Sequence, residues 1–210
     1  LVPIRIDIDL NGVKFRDSFT WNLNETLITP EYFAEIICED FNLSHSVYQP
    51  VIVKAIKEQI DEYYMYSQTG ETEGNEYKDT NNVYDLDIIV GDQWLKDQFE
   101  WDLCNKRNNP EEFAEKLIED LGLEPEFKTA IAHSIREQIQ AHVKSLYLSG
   151  YQFDGGPIKD DEVAQSFLLP LNEETIIRND KIVLDFAPDI YSLNEDDIER
   201  LERDYERESR

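Results

Sequence analysis

Hydrophobic and polar residues alternate along the first ten positions of the chain. This period of two is typical of a strand with one buried face. The dipeptide Asn11-Gly12 follows, and it favours a tight type I′ hairpin turn. The apolar face of a return strand is then predicted from Val13, Phe15, Phe19, Trp21 and Leu23. The chain is therefore predicted to begin with a β-hairpin, with Trp21 as an anchor of its core.

Two helices are predicted after this hairpin. Thr29 is a suitable N-cap residue, and Pro30 suits the first helical turn. Two apolar stripes at helical spacing follow, one formed by Phe33, Ile37 and Phe41 and the other by Ile52, Ile56 and Ile60. The predicted order is strand–strand–helix–helix, a hairpin covered by two helices.

The same pattern recurs roughly 80 residues later, as an internal repeat. The matched strings are DSFTW at 17–21 with DQFEW at 97–101, PEYFAE at 30–35 with PEEFAE at 110–115, and AIKEQI at 55–60 with SIREQI at 134–139. Asn109 is the matching N-cap, with Glu112 as its expected capping-box partner, and Trp101 is the matching core anchor. The fold class is therefore α+β, with two tandem β-hairpin plus two-helix repeats.

The repeat and the composition around it predict the domain organisation. The segments are a first module at 1–66, an acidic flexible linker at 67–82, a second module at 83–149, a loop with short apolar segments at 150–193 and a terminal helix at 194–210. Two apolar runs in the fourth segment, 167–171 and 182–186, are expected to pack back on the second module.

The charge of the chain limits its partners. Asp and Glu number 46 against 20 Lys and Arg, a formal net charge of −26. Such a surface repels the phosphate backbone, so direct DNA binding is not expected and basic partners are favoured. No membrane-spanning segment or signal region is predicted. Cys38 is interpreted as a small core residue and Cys104 as part of a polar turn, without a disulfide between them, which favours a reduced intracellular state.

No catalytic residue, cofactor or metal is predicted. Residues 7–12 imitate the start of a calcium loop, but the twelfth position is Ser18 and the segment alternates like a strand. Asp17 and Asp97 interrupt the apolar strand faces, and we expect each to sit at a bulge or to bond nearby backbone amides. The three histidines, His45, His133 and His142, lack metal-site spacing, and the last two are predicted on helix surfaces. The alternative function is that of an enzyme, a metal-dependent hydrolase that would use the acidic strand residues Asp7, Asp9, Asp85 and Asp87.

Two sets of exposed residues are candidates for partner binding. The outward residues of the second helices are predicted to form a polar rim around an apolar contact: Lys54, Lys57 and Glu58 in one repeat, and His133, Arg136 and Glu137 in the other. In the terminal helix, Arg200, Arg203, Arg207 and Arg210 recur along one face. This pattern fits an arginine stripe for an acidic partner, or a solvated helix with the ion pairs Asp196–Arg200, Glu199–Arg203 and Glu206–Arg210.

These strings resemble a known family. The LVPIR, FTWN and TPE strings at 1–5, 19–22 and 29–31 resemble the first repeat of the Snf-five (SMARCB or INI-type) subunits of SWI/SNF and RSC chromatin-remodelling complexes, in a fungal form. The DQFEWD, PEEFA and IAHSIR strings at 97–102, 110–114 and 131–136 resemble the second repeat.

The resemblance implies a nuclear, non-enzymatic scaffold subunit of an ATP-dependent remodeller. Its repeats are expected to dock SWIRM domains of a scaffold subunit, as two copies or a dimer. An arginine-rich C-terminal helix is expected to face the acidic patch of the nucleosome. This chain departs from that pattern because its last residues, up to Arg210, carry no dense basic cluster.

Overall fold

The computed structural model describes residues 1–10, 12–67, 81–103, 105, 107–151, 158–165, 167 and 180–208. Its elements are β1 (Val2–Leu10), β2 (Val13–Trp21), α1 (Pro30–Asp40), α2 (His45–Ser67), β3 (Asn81–Val90), β4 (Gln93–Asp102), α3 (Pro110–Leu121), α4 (Glu126–Leu148), α5 (Asp161–Gln165), α6 (Asp180–Asp185), β5 (Asp189–Ser192) and α7 (Glu195–Glu208). The order of the first eight elements confirms the predicted α+β repeat.

The first hairpin has the predicted register. β1 and β2 pair antiparallel without interruption from Val2 opposite Trp21 to Leu10 opposite Val13. Gly12, in the two-residue turn, has φ 80°, in the left-handed region that glycine adopts without strain. The even-numbered residues of β1 from Val2 to Ile8 are buried and the odd-numbered residues from Arg5 to Asp9 are exposed, as the alternation predicts.

The core of the first repeat lies between this hairpin and the two helices. Ile52 and Ile56 of α2 are fully buried, and Trp21 keeps 9% exposure. The Trp21 ring packs edge-on against Phe33 of α1, with centroids 5.5 Å apart. Aromatic pairs of this geometry add stability beyond the area that they bury. Trp21 is thus confirmed as a core anchor, and Cys38, at 1% exposure, as a core residue.

Side chains of α2 also bond backbone groups of β1. The side-chain amide of Gln59 accepts from the Arg5 backbone N–H at 2.9 Å and donates to the Arg5 carbonyl oxygen at 2.9 Å. Tyr48 Oη donates to the carbonyl oxygen of Leu10 at 2.7 Å. The two bonds of Gln59 satisfy backbone groups that a neighbouring strand would otherwise pair.

The second repeat forms a three-stranded sheet in the order β3-β4-β5. β3 and β4 pair from Asn81 opposite Asp102 to Val90 opposite Gln93. Its core contains the fully buried Tyr84, Leu95, Phe127 and Ile131, together with Leu86 and Trp101. Trp101 packs edge-on against Phe113 of α3 at 5.6 Å, the counterpart of the Trp21–Phe33 contact. Trp101 is therefore also confirmed as a core anchor.

The chain folds into two compact units. Unit 1 comprises Leu1–Glu76 and Arg136–Ala164, and unit 2 comprises Tyr77–Ile135 and Gln165–Arg210. Helix α4 therefore contributes its first turns to unit 2 and its remaining turns to unit 1. The predicted modules, 1–66 and 83–149, assign the whole of this helix to the second module.

Several local predictions need correction or fall outside the described residues. Residues 81 and 82 of the predicted linker lie in β3, where Asn82 is buried, and residue 67 ends α2. The rest of that linker and Cys104 are outside the described residues. The segment 150–193, predicted as a loop with short apolar segments, contains α5, α6 and β5. Val183 and Leu184 of the predicted apolar run 182–186 remain 49% and 75% exposed. The strand β5 has no predictive pattern, because all four of its residues are exposed and show no alternation. Helix α7 confirms the predicted terminal helix. None of the described helices is long and apolar enough to span a membrane.

Candidate interaction surfaces

The outward face of α2 carries the residues predicted for the first repeat. Lys54, Lys57 and Glu58 are all exposed. Lys54 Nζ lies 3.7 Å from Glu58 Oε1, an (i, i+4) pair, and Lys57 Nζ donates to Glu31 Oε1 at 2.5 Å. The bond from Lys57 lowers the pKa of the Glu31 carboxyl. Lys57 therefore joins the face of α2 to the first turn of α1.

The equivalent residues of α4 are in different surroundings. His133 is buried, with 3% exposure, so its predicted position on the helix surface is wrong. Arg136 and Glu137 are half-buried. Arg5 of β1 donates to both carboxylate oxygens of Glu137, from Nε at 2.8 Å and from Nη2 at 2.6 Å. Glu137 is thus engaged in a two-point ion pair inside unit 1.

Further contacts inside unit 1 involve the later turns of α4. Lys144 forms an ion pair with Glu62 of α2, and the bond raises the pKa of the Lys144 ammonium. The rings of Tyr66 and Tyr147 meet edge-on at 5.2 Å. Leu146 is fully buried. This half of α4 is therefore part of the packing of unit 1.

The first repeat exposes a group of apolar side chains before and within the first turn of α1. Leu27, Ile28 and Tyr32 are 87%, 40% and 52% exposed. We call these three residues the apolar trio. The Glu25 carboxylate accepts from the backbone N–H groups of Leu27 at 2.6 Å and Ile28 at 3.3 Å, which holds the loop and lowers the pKa of Glu25.

The apolar trio is not marked by the hydrophobic periodicity of the chain. A comparison of the two repeats does reveal these residues, because the matching positions of the second repeat are the polar residues Arg107, Asn108 and Glu112. A position at which one copy is apolar and the other is polar points to a surface that only one copy needs. The apolar trio is such a surface, since its residues remain exposed.

The acidic strand residues hold contacts within their sheets. Asp7 accepts from Arg16 Nε at 3.1 Å, and Asp87 accepts from Trp94 Nε1 at 2.6 Å. Asp97 accepts from the backbone N–H of Gln98 at 2.8 Å, and burial raises the pKa of its carboxyl. In the part of the chain that the structure describes, no group of three or more histidine, cysteine or acidic residues is arranged to hold a metal ion.

Asp17 makes the same bond as Asp97. It accepts from the backbone N–H of Ser18 at 2.8 Å. The register of both hairpins continues past these residues without an extra residue. The prediction that each aspartate bonds a nearby backbone amide is confirmed, and the alternative of a bulge is wrong.

The terminal helix α7 uses its arginines within the helix. Arg200 Nη2 lies 3.6 Å from Asp197 Oδ1, and Arg203 Nε donates to the carbonyl oxygen of Glu199 at 3.0 Å. These contacts differ from the carboxylate pairs predicted for Arg200 and Arg203. The side chain of Arg207 and all of Arg210 lie outside the described residues.

Comparison with known proteins identifies relatives along the whole chain. The family model for SNF5 / SMARCB1 / INI1 matches residues 1–210. The chain is 41% identical to the SWI/SNF chromatin-remodeling complex subunit snf5 of Schizosaccharomyces pombe and 37% identical to SNF5 of Saccharomyces cerevisiae, over 38% and 24% of their lengths. It is 29% identical to the chromatin structure-remodeling complex subunit SFH1 of Saccharomyces cerevisiae, over 46% of that protein. In each alignment the chain is covered completely, and it spans less than half of the relative.

Proposed function

The chain belongs to the SNF5/SMARCB1/INI1 family, and we propose on that basis that it is a non-catalytic subunit of a SWI/SNF-type chromatin-remodelling complex in the nucleus. The observation that carries the proposal is the family match over all 210 residues. Relatives named as subunits of SWI/SNF and chromatin structure-remodeling complexes support it. The internal repeat fits a scaffold role, because two copies of one fold offer two docking surfaces on one chain.

A SWIRM domain of a scaffold subunit is the partner that we propose for the repeats. In the first repeat, the apolar trio supplies the centre of the contact and Lys54, Lys57 and Glu58 supply its rim. Lys57 bonds Glu31, which precedes Tyr32 in the chain, and this contact supports a rim beside the apolar trio. An apolar centre with a charged rim is the usual composition of a protein–protein interface.

The second repeat is proposed to bind a second copy through a different set of residues. Its positions that match the apolar trio are polar, and Glu137 would have to give up its two-point bond with Arg5. His133 is buried and is left out of the docking surface. Arg136 remains a rim candidate on α4.

The arginines of α7 are proposed to contact the acidic patch of the nucleosome. Arg200 and Arg203 lie on one face of the helix, and each makes an exposed contact within α7. An exposed ion pair such as Arg200–Asp197 contributes about 0–1 kcal/mol, so an acidic partner can replace it with little loss of stability. Guanidinium groups suit carboxylate partners because they donate two parallel hydrogen bonds.

Calorimetry with a purified SWIRM domain tests the docking surface. The intact chain is expected to bind two copies. The double substitution Leu27→Ser and Tyr32→Ser should weaken one of the two sites by at least about tenfold, because loss of an aromatic anchor commonly costs more than 1 kcal/mol. Both side chains are exposed, so the fold should be retained.

The matched control is Tyr64→Ser, which removes a tyrosine of α2 that is 45% exposed. This variant should bind like the unchanged chain. Equal affinities for the double variant and the unchanged chain would show that the SWIRM domain does not bind at the apolar trio. Binding of a single SWIRM domain to the intact chain would contradict the two-site proposal.

A further inference from the structure

The two repeats differ on the outward faces of their hairpins. In the first repeat, the last outward pair before the turn is Asp9 opposite Lys14, and both side chains are exposed. The equivalent pair in the second repeat is Ile89 opposite Trp94. An apolar pair thus occupies the place of a charged pair. This difference is independent of the one at the apolar trio.

A third strand lies beside this apolar pair. β5 pairs antiparallel with β4, and Tyr191 is opposite Trp94. The two rings lie 5.6 Å apart at an angle of 50°. Ile89, Trp94 and Tyr191 therefore form a row across three strands, which we call the aromatic row. The Leu193 backbone N–H extends the attachment by donating to the carbonyl oxygen of Asp92 at 2.7 Å.

The Trp94 ring is held in place by residues of its own hairpin. Its Nε1–H donates to Asp87 Oδ1 at 2.6 Å, and Lys96 Nζ lies 4.1 Å from the ring centroid. Lys96 Nζ also lies 3.7 Å from Asp87 Oδ2. Because β3 and β4 already orient the indole, Tyr191 meets a preformed surface and less ordering is needed when β5 binds.

We propose that Ile89 and Trp94 form a docking site by which the second repeat holds the strand β5 through Tyr191, and that β5 anchors the terminal helix α7 to that repeat. β5 has four residues, all exposed, and its backbone pairs with one neighbour. A strand of this length gains little stability by itself, so side-chain contacts across the strands determine whether it stays bound.

The link from β5 to α7 is short. Helix α7 begins at Glu195, three positions after Ser192. Asn194 accepts from the Asp197 N–H at 2.9 Å as the N-cap of α7, and the Leu193 bond to Asp92 precedes it directly. A short, hydrogen-bonded connection limits how far α7 can move while β5 remains paired.

The charged pair of the first repeat, Asp9 and Lys14, offers no comparable surface for Tyr191.

Amide hydrogen exchange and backbone relaxation by NMR on the full chain test this proposal. Trp94→Lys introduces the residue that the first repeat has at the matching position. We expect the amides of residues 189–193 to exchange about twofold to tenfold faster, which corresponds to the roughly 0.5–1.5 kcal/mol of one aromatic pair. The heteronuclear NOE of α7 should fall at the same time, while the exchange of α3 stays unchanged.

The matched control is Lys14→Trp, which alters the first repeat and should leave residues 189–193 as they are. Tyr191→Ser removes the other ring of the pair, at a position that is 45% exposed. If Trp94→Lys perturbs the hairpin itself, Tyr191→Ser decides the question alone. Wild-type exchange at 189–193 and a wild-type NOE of α7 in Tyr191→Ser would overturn the proposal.

Discussion

Equivalent residues in the two repeats share a local bond but differ in their surroundings. Asp17 and Asp97 each accept from the next backbone amide at 2.8 Å. Burial raises the pKa of the Asp97 carboxyl above its ordinary value of 3.8. An acid whose pKa is raised by folding binds its proton more tightly in the folded chain. Its stabilising contribution is complete below the unfolded-state pKa and is lost as the pH rises through the folded-state pKa.

We therefore predict that Asp97→Asn raises the free energy of unfolding at pH 7. The asparagine oxygen can still accept from Gln98, and the cost of a half-buried negative charge is removed. The gain should shrink as the pH falls and vanish below about pH 3, where Asp97 is protonated in both states. Urea denaturation at a series of pH values measures it.

Asp17→Asn is the control for this experiment, because it changes the net charge of the chain by the same amount at the equivalent position. If both variants gain equally at every pH, the effect comes from the overall charge of −26 and the environment of Asp97 has no part in it.

At the scale of the elements, the sequence determines the helix starts through their caps. Thr29 Oγ1 accepts from the Tyr32 N–H at 3.2 Å, and Asn109 Oδ1 accepts from the Glu111 N–H at 3.1 Å. Glu112 Oε1 accepts from the side-chain amide of Asn109 at 3.1 Å, whereas the predicted capping box would use the backbone N–H of Asn109. These caps can be predicted from the sequence because a capping side chain bonds a backbone N–H group only two or three positions later.

Removal of one cap should cost about 1 kcal/mol. We expect Thr29→Ala to lower the free energy of unfolding by this amount and to speed amide exchange in the first turn of α1. Thr29→Ser keeps the accepting hydroxyl and should behave like the unchanged chain. A loss of equal size in both variants would assign the effect to the side-chain methyl group.

Some features of the fold have no local pattern in the sequence. β5 has no buried face, so no periodicity marks it, and its position is set by its pairing with β4. His133 aligns with Lys54, which predicts a surface position, but only 3% of it is exposed. The apolar trio was overlooked because Leu27 and Ile28 lie in a loop, where periodicity carries no information.

At the scale of the whole molecule, the described contacts assign part of α4 to unit 1. A fragment that ends at residue 67 lacks the partners of Arg5, Glu62 and Tyr66, and it also lacks the buried Leu146. We predict that the first repeat in this fragment is less stable than in the full chain by about 2 kcal/mol or more. Amide hydrogen exchange of the buried Ile52 and Ile56, measured by NMR in both chains, gives the difference.

A second fragment serves as the control. It joins residues 1–67 to residues 136–151 through a Gly/Ser linker and thereby restores the missing half of α4. This chain should recover most of the lost stability. If the short fragment is already as stable as the first repeat of the full chain, the module bounds predicted from the sequence, 1–66 and 83–149, describe the folding units better.

The bond between Gln59 and β1 has a consequence for how copies of the chain behave towards one another. An exposed strand edge can recruit an identical strand from a neighbouring chain, which is the first step of aggregation. At the middle of β1, the Gln59 amide already occupies both the N–H and the carbonyl group of Arg5. A second chain would have to displace this side chain before any edge-to-edge pairing could spread along β1. Gln59 therefore acts against self-association as well as for the packing of its own helix.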